Sequence, residues 1–268
     1  MNYIESKPRI AIIKFPGTNC EKETRKGFEM AGGRPEIIPV SEFETGNKYL
    51  PDYQALALAG GFSYGDHLGS GRVAAIVLDT KLGNQVARFK EKGSPSIGIC
   101  NGFQIMVQSE QFFGKSGIQL KSVTLDRNDN GQFDSDRIRL SINPNSRCVF
   151  LKDLENYGPV EFQIAHAEGK AVTASDAALD RLEEQRQVVF RYLGPNGEST
   201  ELYPYNPNGS SHAIAGITNE TGTDLGLMPH PERSIKRIQY PNWRRMPQDF
   251  VPEGLQIFEG MVEYASQI

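Results

Sequence analysis

Cysteine is scarce in this chain, with three in 268 residues: Cys20, Cys100 and Cys148. An odd and sparse set supplies no disulfide framework and fits a reducing compartment. Long apolar runs are missing as well. None approaches the roughly 20 residues of a membrane span, and Met1 to Pro8 is polar, without the apolar centre of a signal peptide. The expected location is the cytoplasm, with no membrane partner. Excess positive charge is also absent. The formal net charge is −4, which argues against sequence-independent binding of nucleic acid. There is no G-x-x-x-x-G-K-[ST] loop and no other nucleotide fingerprint. What is present is ordinary: 38% hydrophobic and 23% charged residues, the composition of a soluble globular protein long enough to bury a substantial core.

One stretch organises the rest. Ser96-Ile97-Gly98-Ile99 reads as a short buried strand behind Pro95, and Phe103, Met106, Val107 and Phe113 recur at helical spacing after it. Cys100 sits between them with glycine at i−2 and i+2. A sharp strand-to-helix turn needs that pattern, as in the G-x-S-x-G nucleophile elbow. A thiol there lies at a helix N-terminus, where the dipole and free N–H groups favour the thiolate. The competing reading is a small buried apolar residue, which the local pattern favours less.

Met228-Pro229-His230-Pro231-Glu232-Arg233 shifts that balance. In extended backbone, residues i and i+2 point the same way, and Pro231 pushes His230 toward extended geometry. A carboxylate beside the imidazole can hold its Nδ1 proton and aim Nε2 at a third group. A lone H-P-E would be a proline-rich surface turn. Beside a glycine-flanked cysteine it reads as the base and orienting acid of a nucleophilic triad.

The chain around these motifs alternates strand and helix. Arg9 to Phe15 is an apolar strand ended by Pro16-Gly17. Asn19 is a candidate N-cap for a helix over Cys20 to Ala31, stopped by Gly32-Gly33. Strands follow at Glu36 to Val40 and Tyr53 to Ala59, the latter apolar throughout, as in a doubly covered parallel sheet. Gly71 to Lys90 is helical, with Gly83 as an interruption. Phe112-Phe113-Gly114 closes the helix that Cys100 opens. The expected fold is α/β, a mostly parallel central sheet flanked by helices with right-handed crossovers. Sites in such sheets form at the carboxyl ends of strands, so Thr18-Asn19, Gly60 to Ser63 and Cys100 should share one rim. From Ile118 the pattern changes to Leu120–Leu125, Ile138–Ile142, Val160–Ala165 and Val188–Tyr192 with polar turns between, an antiparallel elaboration. Arg181 to Gln187 is a charged, solvated helix, and Ala213–Thr218 and Asp224–Met228 are the last two strands. One domain is expected over residues 1–268, with 1–8 an N-terminal extension and 238–268 a basic linker and an amphipathic helix through Leu255, Phe258, Met261 and Val262.

Two further patterns compete for chemistry. Asp126, Asn128, Asn130, Gly131 and Asp134 fit a calcium loop, but Arg137 stands where the bidentate acid is required, and Asn130-Gly131 reads as a hairpin turn. His166 and Glu168 form a second His-x-Glu, without a proline to fix its geometry. His212 is read as structural. Gly60-Gly61 follows a strand and lets backbone approach a ligand closely. Taken alone, the pair reads as a plain glycine turn. A developing oxyanion needs N–H donors, and Asn101, just after the cysteine, can supply one. Asp66 and His67 lack the further ligands a metal site requires.

Together, G-I-C-N-G-F-Q at 98–104 and H-P-E-R at 230–233 resemble the triad-type, class I glutamine amidotransferases, whose fold is flavodoxin-like. Phe15 to Cys20, Gly60 to Asp66, Ala165 to Gly169 and Tyr205 to Ser210 resemble the glutaminase subunits of phosphoribosylformylglycinamidine synthase, in the same order along the chain. Ala167 departs from that pattern, where glycine is usual. The resemblance implies Cys100, His230 and Glu232 as catalytic triad. It implies Gly60, Gly61, Phe62, Ser63, Asn101 and Gln104 as the glutamine and oxyanion site, and His166 as a pocket or partner-facing residue, with no metal. It further implies ammonia transfer to a synthetase subunit that converts formylglycinamide ribonucleotide to the amidine. ATP and Mg²⁺ would bind that partner, no cofactor would bind this chain, and a small third subunit would complete the enzyme. The competing readings are a glutaminase serving another acceptor, a free-standing cysteine hydrolase or peptidase, and a regulatory subunit with a dead site.

Overall fold

The computed structural model describes residues 7–113, 123–151 and 158–268. Along the chain run β1 (Arg9–Lys14), α1 (Glu21–Met30), β2 (Arg34–Pro39), α2 (Val40–Glu44), β3 (Ala55–Leu58), α3 (Arg72–Val77), α4 (Gly83–Glu91), β4 (Ser96–Ile99) and α5 (Asn101–Gln108). There follow β5 (Val123–Asp126), β6 (Asp134–Ile142), β7 (Val160–His166), β8 (Lys170–Thr173), α6 (Asp176–Glu184), β9 (Val188–Tyr192), β10 (Ile214–Thr218), β11 (Asp224–Leu227) and α7 (Glu253–Ala265). Nine strands form one sheet in the order β2-β1-β3-β4-β11-β10-β9-β6-β7. β2, β1, β3, β4 and β11 are mutually parallel, and the remaining pairings are antiparallel. The antiparallel elaboration thus continues the parallel sheet through β10, and β5 with β8 makes a separate two-stranded ribbon.

Strand alternation divides the core. In β1, Ile10 and Ile12 face one layer, with Phe28 of α1 and Phe258 of α7. Ala11 and Ile13 face the other, with Phe89 of α4 and Ile105 of α5. β3, β4 and β11 are buried along their whole length, which is why they read as continuous apolar runs rather than alternating ones. α7 closes over α1, the Phe28 and Phe258 rings meeting edge to face at 4.9 Å.

Several sequence expectations need correction. Asn19 does not cap α1. The N-cap is Cys20, without a side-chain capping bond, and Asn19 Oδ1 instead accepts from the Cys20 thiol at 3.3 Å. The second strand begins at Arg34, because its pairing with β1 starts there, and Val40 already opens a helix. The helix expected over Gly71 to Lys90 is α3 and α4 joined by a π-helical turn, Leu78–Leu82. α5 ends at Gln108, since Ser109 is extended, well before the Phe112-Phe113 expected to close it. The charged helix starts earlier, at Asp176, where Ser175 Oγ accepts from the Ala178 N–H at 3.2 Å. Asn130-Gly131 is a turn but not a hairpin, because β5 pairs with β8 and β6 with β7 and β9. Strand β8 carried no clear period-2 signal and was not anticipated. The expected strand Leu120–Leu125 lies partly outside the described residues, as do Gly114 and Ile118.

Candidate active site

The carboxyl ends of β1, β3, β4 and β11 converge on Cys100. Its backbone, at φ 53° and ψ −110°, is left-handed for a residue with a side chain. Such a conformation costs on the order of 1–3 kcal/mol and persists only where surroundings enforce it. They do so from three sides. Cys100 N–H donates to Leu227 O of β11 at 2.8 Å, and Cys100 O accepts from Gln104 N–H at 3.1 Å, which starts α5. A Cβ on Gly102 would lie 1.8 Å from the Leu58 carbonyl oxygen of β3, and one on Gly98 would lie 2.3 Å from Met106 Sδ. The glycines on either side of the cysteine are therefore contact requirements of the strand-to-helix turn.

His230 and Glu232 follow β11, the strand beside β4. His230 is extended, as Pro231 requires, with its N–H donating to Gln163 O of β7 at 2.8 Å. Glu232 comes from a single 3-10 turn, Pro231–Arg233, and not from continued extended backbone. The turn still brings Glu232 Oε1 to 2.5 Å from His230 Nδ1. Cys100 is 5% exposed, His230 1% and Glu232 0%. Burial disfavours the imidazolium, but the Glu232 carboxylate and then Cys100 outweigh it, and the pKa of His230 stands well above its ordinary value. The Cys100 thiol also reaches Ala165 O at 3.6 Å.

The other residues singled out by sequence meet on the same rim. Asn19 and Cys20 N–H groups donate to Gly60 O at 3.2 and 3.1 Å, and Phe62 N–H donates to Gly17 O at 3.0 Å. Ser63 N–H donates to Asn101 Oδ1 at 3.1 Å, so the glycine loop after β3 is tied both to the loop after β1 and to the start of α5. Asn101 Nδ2 donates to Gln104 Oε1 at 2.9 Å and to Asp66 Oδ1 at 3.2 Å, while Gln104 Nε2 donates to Glu168 O. Burial, then the nearby Glu168, raises the pKa of Asp66, against hydrogen bonds that lower it. Phe62 is 49% exposed and faces Phe133, ring centroids 6.3 Å apart.

His166 is buried at the end of β7, so it presents no exposed partner-facing surface. Its Nδ1 lies 3.1 Å from Asn128 Oδ1, and Nε2 has no hydrogen-bond partner. Burial, with His230 nearby, pushes its pKa down to about 3. Asn128 also holds the His166 carbonyl, so the apparent calcium loop serves as a brace for this histidine. Ala167 takes no left-handed conformation, and a glycine is not needed there.

Cys20 is the residue that sequence reasoning passed over. Its sulfur accepts from Arg233 Nη2 at 3.4 Å and stands beside His230. The rim argument reached Thr18-Asn19, one residue short of it.

The chain is similar to known proteins over nearly its whole length. The model of the CobB/CobQ-like glutamine amidotransferase domain matches residues 7–265. The chain is 39% identical over 266 residues to phosphoribosylformylglycinamidine synthase subunit PurQ of Dehalococcoides mccartyi, covering 98% of this chain and all of that one. It is 38% identical over 243 residues to the PurQ subunit of Treponema denticola, covering 85% and 89%. A chain of the solved PurLQS structure from Thermotoga maritima superposes with a TM-score of 0.72 at 29% identity, over 97% of this chain and 99% of that one. A family model matched from residue 7 to residue 265 and identities near 39% over almost the full length mean that the chain belongs to the glutamine amidotransferase family, among the PurQ subunits of phosphoribosylformylglycinamidine synthase.

Proposed function

We propose that Cys100, His230 and Glu232 hydrolyse the side-chain amide of glutamine for a synthetase subunit that uses the ammonia. The observation that carries the reading is the buried His230 imidazole, held by Glu232 at 2.5 Å and facing the strained Cys100. The thiolate attacks the amide carbon. The oxyanion is met by backbone N–H groups of Gly61 and Asn101. His230 protonates the departing ammonia, and Glu232 keeps the imidazolium oriented. Water, deprotonated by His230, then cleaves the γ-glutamyl thioester and restores the thiolate. Gly60, Phe62, Ser63 and Gln104 hold the substrate.

The acceptor is formylglycinamide ribonucleotide, converted to the amidine in purine biosynthesis. ATP and Mg²⁺ bind the synthetase partner, and this chain brings no resident cofactor. Support comes from the relatives, which are subunits of that synthase, and from the Thermotoga structure, which is of PurLQS. A small third subunit completes the assembly. Residues 1–268 act as one amidotransferase domain, with 1–8 as an N-terminal extension. No helix among the described residues is long and apolar enough to cross a membrane, in keeping with work in the cytoplasm.

The test is glutamine hydrolysis by the purified chain, with and without synthetase, ATP and formylglycinamide ribonucleotide. Hydrolysis should be weak alone and rise in the full mixture. Cys100→Ala should lower it by on the order of 10⁴-fold or more. Strong hydrolysis of other amides or peptides by the chain alone would favour a free-standing hydrolase, and activity surviving Cys100→Ala would remove the triad.

A further inference from the structure

The turn that follows the glycine loop is wound against the usual hand. Within Ser63–Asp66, Tyr64 stands at φ 53°, Gly65 at 70° and Asp66 at 52°. Two of the three carry side chains, which makes this backbone strained. Tyr64 N–H donates to Pro16 O at 2.6 Å, Gly65 N–H donates to Phe62 O at 2.8 Å, and Asp66 O accepts from Gly69 N–H at 3.1 Å. These bonds hold the turn, and the turn aims the Asp66 carboxylate at the start of α5. Asp66 Oδ1 accepts from Asn101 Nδ2 at 3.2 Å and from Gly71 N–H at 3.4 Å. The hydrolysis steps leave this carboxylate without a role.

The main-chain bonds of Gly60 and Phe62 to neighbouring elements run to the loop after β1. The hydrogen-bonded tie from the glycine loop to α5 runs through one side-chain amide, that of Asn101. Ser63 N–H donates to Asn101 Oδ1 at 3.1 Å, and Asn101 Nδ2 donates to Asp66 Oδ1. The loop and its turn therefore grip both ends of the amide. Gln104 Oε1 also accepts from Nδ2, at 2.9 Å. A glutamine amide can turn either end to a neighbour, whereas an ionised carboxylate only accepts. Asp66 thus fixes which way the Asn101 amide points, and with it the oxygen that Ser63 N–H needs. The consequence reaches the chemistry. Gly61 lies two residues before Ser63, and the main-chain N–H of Asn101 belongs to the gripped residue. Donors to an oxyanion act within about 2.7–3.1 Å of it, so the spacing of these two N–H groups has to be held closely.

We propose that Asp66 is a positioning residue for glutamine hydrolysis, holding the Gly61 and Asn101 N–H groups in register through the Asn101 side chain. The inference rests on the glutaminase reading, with those two groups as the oxyanion donors. Without the carboxylate the Asn101 amide is free to turn over, and the glycine loop keeps only its Ser63 bond to α5. The cost then falls on the transition state and not on the binding of glutamine.

The test is made on the complex with synthetase, ATP and formylglycinamide ribonucleotide. Asp66→Ala should lower kcat by about 100-fold and leave KM for glutamine within about threefold. Asp66→Asn still offers an oxygen to Asn101 Nδ2 and should recover most of the rate. Asn101→Ala removes the side-chain amide but keeps the main-chain N–H, and adding Asp66→Ala to it should cost nothing further. Two probes separate positioning from folding. The aldehyde analogue of glutamine, with CHO in place of the amide, adds the Cys100 thiol reversibly and puts its oxygen where the oxyanion forms. Asp66→Ala should bind it about 100-fold more weakly. Iodoacetamide alkylates the same sulfur by displacing iodide, with no oxyanion, and its rate should match wild type. Unchanged kcat and aldehyde affinity in Asp66→Ala overturn the assignment. So does an equal fall in the iodoacetamide rate, an Asp66→Asn no better than Asp66→Ala, or a double variant much slower than Asn101→Ala. A wild type that neither hydrolyses glutamine nor binds the aldehyde overturns the glutaminase reading and this role with it. A competent wild type beside an unaffected Asp66→Ala overturns the role alone.

Discussion

The two buried histidines differ through what stands beside each ring. His230 meets a carboxylate at Nδ1, which helps to raise its pKa above the ordinary value. His166 meets the neutral Asn128 amide and a nearby cation, and stays uncharged down to about pH 3. This has a consequence for stability. Below the ordinary histidine pKa, near 6.5, the unfolded chain binds a proton at His166 that the folded chain refuses. Stability must then fall as pH drops, by about 1.4 kcal/mol per pH unit for this one group. The loss is confined to the window between about 6.5 and about 3. His166→Gln removes the titration. Urea denaturation of both proteins at pH 6.5 and pH 5 should give the wild type the steeper loss, by about 2 kcal/mol. Equal slopes would mean that His166 takes up its proton in the folded state. Sequence identified both His-x-Glu patterns, and resemblance chose between them. The environments that separate them could not be read locally, because Asn128 lies 38 residues from His166.

At the level of elements, the turn around Cys100 is rigid because β3, β4, β11 and α5 meet at backbone distance. α7 is held differently, by side chains. Phe258 is fully buried against Phe28, and its ring lies where a Cβ on Gly27 of α1 would be, 2.8 Å from that point. Phe258→Ala leaves a cavity that α1 cannot fill, since Gly27 contributes no side chain. The expected cost is about 3–5 kcal/mol, measured as a lower denaturant midpoint with an unchanged slope. A cost under about 1 kcal/mol would mean that α7 is peripheral to the fold. The apolar spacing of Leu255, Phe258, Met261 and Val262 announced this helix, and it runs over Glu253–Ala265. What the spacing could not supply was its partner, because α1 and α7 are more than 200 residues apart.

Across the whole molecule, one sheet carries both the parallel half, which ends at Cys100, His230 and Glu232, and the antiparallel half, joined at the β11–β10 pair. The C-terminal segment is tied in as well. Arg237 donates to the carbonyls of Trp243 and Met246 at 2.8 and 3.0 Å and lies against the Trp243 ring. One cooperative unfolding transition is the expectation from these contacts. Trp243 is the only tryptophan, so its fluorescence reports the C-terminal segment while far-ultraviolet circular dichroism reports the sheet and helices. The two denaturation curves should coincide. An earlier fluorescence transition would show that residues 238–268 unfold as a separate unit.

The amino-acid order by itself determined the α/β class, the strand-to-helix turn at Cys100, the two His-x-Glu patterns and the shared rim of Thr18-Asn19, Gly60 to Ser63 and Cys100. Each of these rests on interactions a few residues long, or on the rule that parallel strands end on one side of their sheet. Only the tertiary structure decided what depends on contacts across the chain. It sent β5 to β8 instead of into a hairpin, because strand partners are chosen by the face each strand can bury and not by the turn between neighbours. It turned Asn128 into a brace for His166. It also brought Cys20 and Arg233, 213 residues apart, together beside His230, a meeting that no local pattern encodes because it is made by β1 and β11 ending at the same edge of one sheet.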